Sequence, residues 1–110
     1  MPHDPELVAE TRAWLAKQAV EKSFKALLTW HGKPFRKTHN LEELGEQSLG
    51  VEPELRAIVD SAVPLTDYAW KFRYPGDPEA PSRVEAQNAL AIARETFEAI
   101  LQRLPEEVRP

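Results

Sequence analysis

Apolar residues recur at helical spacing through most of this chain, and nowhere do they alternate in the two-residue period of a strand. The first periodic stretch opens at Asp4-Pro5, an N-cap acid followed by proline at the first helical position. It predicts a helix to about Trp30, stopped near His31-Gly32 by the glycine. Val8, Leu15, Ala19, Ala26 and Trp30 form its expected buried stripe, widened by Trp14, Phe24 and Leu27. Glu10, Lys17, Glu21 and Lys25 fall on the opposite side, with Glu21 and Lys25 in the favourable acid-first order four apart.

Lys33 to Thr38 reads as a loop, and Asn40-x-x-Glu43 has the form of a capping box opening a short helix over Leu41 to Gln47. Pro53 is placed to open a third segment. Pro64 is expected to kink or break it, because proline supplies no backbone donor and clashes with the preceding turn. Leu65 to Phe72 then resumes as helix. Three prolines and a glycine exclude regular structure over Tyr74 to Pro81. Ser82-x-x-Glu85 caps the last helix, which runs to about Leu104 with the stripe Ala86, Leu90, Ala93, Phe97, Ile100 and Leu104. The fold class expected is all-α: one up-and-down, antiparallel helical bundle spanning residues 1–110. Its two long helices carry most of the core, and Ala86, Ala89 and Ala93 permit their close approach.

A chain of 110 residues supports one modest core. No apolar run reaches the length of a membrane span, and the N-terminus lacks the basic and apolar regions of a secretory signal, so the expected location is the cytoplasm. Without cysteine there are no disulfides, thiolate metal sites or thiol nucleophiles. The net charge of −4 disfavours sequence-independent nucleic-acid binding. Locally the balance reverses: Lys17, Lys22, Lys25, Lys33, Arg36 and Lys37, with His39, stand against the single acid Glu21. That stretch is either a basic surface or a solvated helix face.

Three groups of residues bear on chemistry. Glu21, Lys22 and Lys25 form either a polar ridge for a partner helix or phosphate, or an ordinary exposed run of ion pairs. Arg36, Lys37, Thr38 and His39 precede a helix N-terminus, where cations and free backbone N–H groups can gather an anion. Their alternative role is structural, with Thr38 and His39 hydrogen-bonding across the loop to fix the second helix. Arg73 and Tyr74 can clamp a phosphate and stack on a base, or Arg73 can simply close a helix C-terminus ahead of Pro75. His3, His31 and His39 share no metal-ligand spacing, so no metal site and no cofactor are indicated. Glu42, Glu43 and Glu46 read as solubilising charge, and Trp14, Trp30 and Trp70 as core or interface anchors.

Four segments occur in the order and at the spacing of one known family: Gln18-Ala19-Val20-Glu21-Lys22, Lys25-Ala26-Leu27-Leu28, Thr38-His39-Asn40-Leu41 and Arg73-Tyr74-Pro75-Gly76. With these the chain resembles a HEPN domain. The resemblance implies a small helical module, of a family whose members are often encoded beside a minimal nucleotidyltransferase and include RNases and toxin–antitoxin components. A nucleotide site is expected to draw on Arg36, Lys37, His39 and Arg73, with Lys22, Lys25 and Tyr74, because these are the clustered cations that border loops, where backbone donors remain free. The family's RNases carry an arginine followed, four to six residues on, by a histidine late in the domain. No histidine follows His39 here, so no catalytic residue is assigned. The function expected is a non-catalytic, nucleotide-binding partner of a separate minimal nucleotidyltransferase. The alternatives are an RNase with a non-standard active site and a purely structural dimerisation module. The family usually has a helix ahead of the segment containing Glu21. Its shortening or loss here leaves an apolar face, and with it the expectation of a homodimer.

Overall fold

The structure is a computed structural model that describes residues 4–67 and 82–110, and within them every regular element is helical. Helix α1 spans Pro5–Trp30, α2 Leu41–Val51, α3 Arg56–Ala62 and α4 Arg83–Leu101, with 3-10 turns at Pro53–Leu55, Val63–Asp67 and Glu106–Val108. Trp70, Arg73, Tyr74 and Pro75, the end of the helix expected over Leu65 to Phe72, and the loop from Tyr74 lie outside the described residues.

The expected punctuation works through identifiable bonds. Gly32 takes φ 65°, which an L side chain rarely adopts, and this lets Lys33 N–H reach Leu28 C=O at 2.9 Å and Gly32 N–H reach Thr29 C=O at 3.1 Å. Asn40 caps α2, its side-chain oxygen accepting from the N–H groups of Glu42 and Glu43 at 2.9 and 3.2 Å. The box is only half made there. Glu43 turns to Arg36, and Asn40 N–H donates to Thr38 Oγ1 at 3.1 Å. At Ser82 both halves form, with Glu85 N–H on Ser82 Oγ and Ser82 N–H on the Glu85 carboxylate. Pro64 sits where α3 passes into a 3-10 turn, as its missing donor requires.

Helices α1 and α4 make the most extensive contact, and they run in the same direction. Pro5, Val8, Ala9 and Arg12 meet Arg83 and Ala86 around one groove, while at the far end His31 and Arg103 both reach Glu52. The antiparallel neighbours are α2 and the segment after it, where Gly45 lies against Val59 and Val63. The reason lies in the loop at residues 31–40. It returns along α1 until His39 meets Glu21, so α2 sets out again in the direction of α1. An extended ten-residue loop spans about 33 Å, more than this return needs.

The stripe expected on α1 is buried only in part: Phe24 and Leu27 lie in the core and Val8 is partly buried. Leu15 and Trp30 are half exposed, at 52% and 48%, and Ala19 and Ala26 face solvent. Trp14 is no core anchor either, at 49% exposure. Buried beside Phe24 and Leu27 are Ala9, Ala13, Ala16, Val20 and Leu28, together with Glu10, Lys17, Glu21 and Ser23. Both faces of α1 carry apolar residues, so periodicity alone does not choose between them. The small side chains of Ala9, Ala13 and Ala16 admit a closely packed neighbour, whereas the indoles would hold it off. On α4, Ala86, Ala93 and Ile100 are buried as expected, as is Leu104 just past its end, while Leu90 is partly buried and Phe97 is 42% exposed. Thr96 takes a buried place beside it by bonding its hydroxyl to Ile92 C=O at 2.8 Å.

Candidate functional site

At the middle of α1 the buried face carries an acid where a hydrocarbon is usual. Glu21 is 3% exposed, and three cationic or titratable side chains converge on it. Lys17 Nζ donates to Oε1 at 2.8 Å from one turn earlier, and Lys25 Nζ to Oε2 at 3.1 Å from one turn later. His39 arrives from the return loop, with Nδ1 at 3.1 and 3.0 Å from the two carboxylate oxygens. Burial pushes the Glu21 carboxyl upward, but hydrogen bonds from Lys17, His39 and Lys25, and the Lys17 charge, outweigh it and bring it down to about 2. The group is therefore an ionised carboxylate near neutral pH.

The tautomer of His39 follows. An ionised carboxylate only accepts, so Nδ1 carries the proton and the other ring nitrogen, Nε2, is left outward. The His39 side chain is 75% exposed although the carboxylate it touches is 4% exposed. Local bonding holds the ring there. Asn40 starts α2 immediately after His39, Thr38 Oγ1 takes the Asn40 N–H, and Gln47 Nε2 reaches Pro34 C=O at 3.5 Å. Lys25 also lies 6.0 Å from the centre of the Phe35 ring, so one lysine ties helix and loop together.

Of the residues singled out in the sequence, Lys25 and His39 share this cluster, centred on Glu21. Arg36 is exposed and pairs with Glu43 at 2.6 Å. Lys22 and Lys37 are exposed and have no ion pair among the described residues. Arg73 and Tyr74 lie outside those residues. Arg36, Lys37 and His39 do not converge on the start of α2, because Asn40 already occupies the Glu42 and Glu43 N–H groups and Arg36 and His39 are turned to carboxylates. Two of the N–H groups at that helix N-terminus are thus taken by its own cap. Sequence reasoning passed over Lys17, which is 3% exposed and the shortest contact to Glu21. Its signal was the pair of four-residue spacings, Lys17 to Glu21 and Glu21 to Lys25. Glu43, placed among the solubilising acids, instead ties Arg36 of the loop to α2.

Among the described residues there is no group of three His, Asp or Glu placed to hold a metal, and no helix long and apolar enough to cross a membrane. No curated protein and no solved structure matches the chain. One family model does, over residues 10–104, from within α1 to just past the end of α4. With that match covering most of its length, this helical bundle belongs to the HEPN domain family.

Proposed function

We propose that this protein is a nucleotide-binding, non-catalytic subunit that serves a separate minimal nucleotidyltransferase as its partner. The observation that carries the reading is the Glu21 cluster: a buried carboxylate holds His39 by Nδ1 and leaves Nε2 outward on a loop that also bears Lys37. Burying an ion network costs desolvation that hydrophobic packing would avoid, so its presence favours a role beyond stability. Lys37 stands two residues before the outward histidine and Lys22 follows Glu21 on α1, and neither lysine has an ion pair among the described residues, so a phosphate can approach both. Arg73 and Tyr74 belong to the proposed set by their place beside a loop in the sequence. Each charge-assisted contact to phosphate contributes about 1.5–3 kcal/mol, so loss of one weakens binding about tenfold or more. Titration of wild type, Lys37→Ala and Arg73→Ala with ATP tests this. Unchanged affinity in both variants places the site elsewhere, and no ATP binding even with a nucleotidyltransferase present removes the reading.

The same dyad supports a second reading as an RNase with a non-standard active site. A histidine oriented by a carboxylate and free at Nε2 can take a proton from a 2′-hydroxyl. Against it stands the missing late histidine of the family's RNases. Metal-independent RNA cleavage that disappears in His39→Ala would establish the second reading and displace the first.

A further inference from the structure

Away from the Glu21 cluster, two arginines from different helices face one groove. Pro5, Val8, Ala9 and Arg12 of α1 and Arg83 and Ala86 of α4 line a space of about 230 Å³. It lies on the far side of α1 from the cluster. Arg12 and Glu21 are nine residues apart, two and a half helical turns, which sets them on opposite faces. Ala9 and Ala86 are buried and, with Val8, make an apolar floor, whereas Arg12 and Arg83 are exposed.

Most other arginines of this acidic chain are already engaged. Arg36 pairs with Glu43, Arg56 with Glu46 and Asp60, and Arg103 with Glu52 and Glu54, while Arg109 donates to Leu104 C=O at 3.0 Å. Arg12, Arg83 and Arg94 have no side-chain ion pair or hydrogen bond among the described residues, and two of these three line the groove. The acids close by in sequence are occupied. Glu85 accepts the Ser82 N–H in the cap of α4, and Asp4, beside Pro5, has a partner already. Because α1 and α4 run the same way, both begin at the groove, with Pro5 and Arg83 as their first residues. The positive ends of two helix dipoles therefore add to two guanidinium charges. Like charges gathered in this way repel, and an anion that answers both relieves the repulsion.

We propose that this groove binds a phosphate monoester with a short apolar body. Such an ester carries about 1.5 to 2 negative charges at neutral pH, which matches two guanidinium groups. Each planar guanidinium fork can take two phosphate oxygens, and the floor of Val8, Ala9 and Ala86 receives the hydrocarbon. The space holds about eight waters at roughly 30 Å³ each and falls below the roughly 300 Å³ at which pockets for drug-sized ligands begin, so the body is compact. A free ester and a phosphorylated side chain of a partner share this chemistry. The inference stands apart from the nucleotide reading, which is centred on the opposite face of α1.

Phenyl phosphate, followed by NMR titration of the full chain, is the probe. It is expected to bind more tightly than inorganic phosphate, which has no body for the floor, and than benzoate, which carries a single charge. Arg12→Gln and Arg83→Gln, both at exposed sites, are each expected to weaken its binding about tenfold. Arg94→Gln removes the same charge from α4 outside the groove and is expected to leave binding unchanged. A phosphotyrosine peptide that binds more tightly than phenyl phosphate upholds the site with a partner protein as the source, and equal or weaker binding upholds it with a free ester. No binding of phenyl phosphate at millimolar concentration, or the same loss in Arg94→Gln as in Arg12→Gln, overturns the site. Benzoate or inorganic phosphate binding as tightly as phenyl phosphate overturns the assignment to a phosphate monoester.

Discussion

Glu21 and His39 stand eighteen residues apart and meet with Nδ1 at 3.0 Å from Oε2, one residue buried inside α1 and the other mostly in solvent. This contact fixes where the return loop crosses α1 and therefore where α2 begins. It also makes an interior charge the organiser of an exterior surface. Its two lysine partners hold the carboxylate from the turns on either side, so removing the acid leaves Lys17 buried without its counter-charge.

Glu21→Gln is expected to destabilise the protein by about 3–5 kcal/mol, the cost of leaving a buried cation unpaired. Urea denaturation at neutral pH measures it. A loss within a few tenths of a kcal/mol would show that the network is energetically idle. The double variant Glu21→Gln/Lys17→Met is expected to recover much of the loss, because the stranded charge is gone.

The same carboxylate sets an acid dependence. Its folded value, about 2, lies below the ordinary 4.5, so its stabilisation is present above pH 4.5 and disappears as pH falls from there towards 2. A displacement of that size corresponds to roughly 3 kcal/mol. Denaturation midpoints taken from pH 6 down to pH 2.5 should fall more steeply in wild type than in Glu21→Gln. Parallel curves would contradict the assignment.

Gly45 is required by packing between α2 and α3. A Cβ there would lie 2.7 Å from Val59 Cγ1, a stiff, buried side chain with no room to withdraw. Gly45→Ala is therefore expected to cost about 1–3 kcal/mol through overpacking. Gly50, on the same helix, would meet nothing within 4 Å. Gly50→Ala is expected to stabilise by about 0.5–1 kcal/mol through backbone entropy, so thermal melts of the two variants should move in opposite directions.

Asn40→Ala removes the cap of α2 and should cost about 1 kcal/mol. It also frees the loop that aims His39, so the His39 ring resonances in an NMR spectrum are expected to lose the chemical-shift signature of the Glu21 contact more than those of His31. Asn40→Ser, which can still cap, should preserve both.

Helix boundaries were largely legible because the signals that end a helix are local. Gly32, Asn40, Pro64 and Ser82 act through their own backbone or side chain on residues within a turn or two. The candidate site was legible only in pieces. Lys25 and His39 stood out by type and position. Lys17 did not, because a lysine on a helix is usually solvated and nothing local tells that a neighbouring segment will cover it.

The amino-acid order by itself determined an all-helical chain, the starts and stops of its long helices, and the presence of a glutamate flanked by lysines at four-residue spacing. Those outcomes depend on hydrogen bonds and dihedral preferences that close within a few residues. Only the tertiary structure decided which face of α1 is buried, that α1 and α4 run the same way, and that His39 reaches Glu21. Both faces of α1 are apolar enough to pack, so the choice fell to size and pairing. The alanine face allows a helix to approach closely, and Glu21 can be buried there because Lys17, Lys25 and His39 arrive together to satisfy it. A condition met by a lysine on either side and a histidine eighteen residues away exists only once the chain has folded.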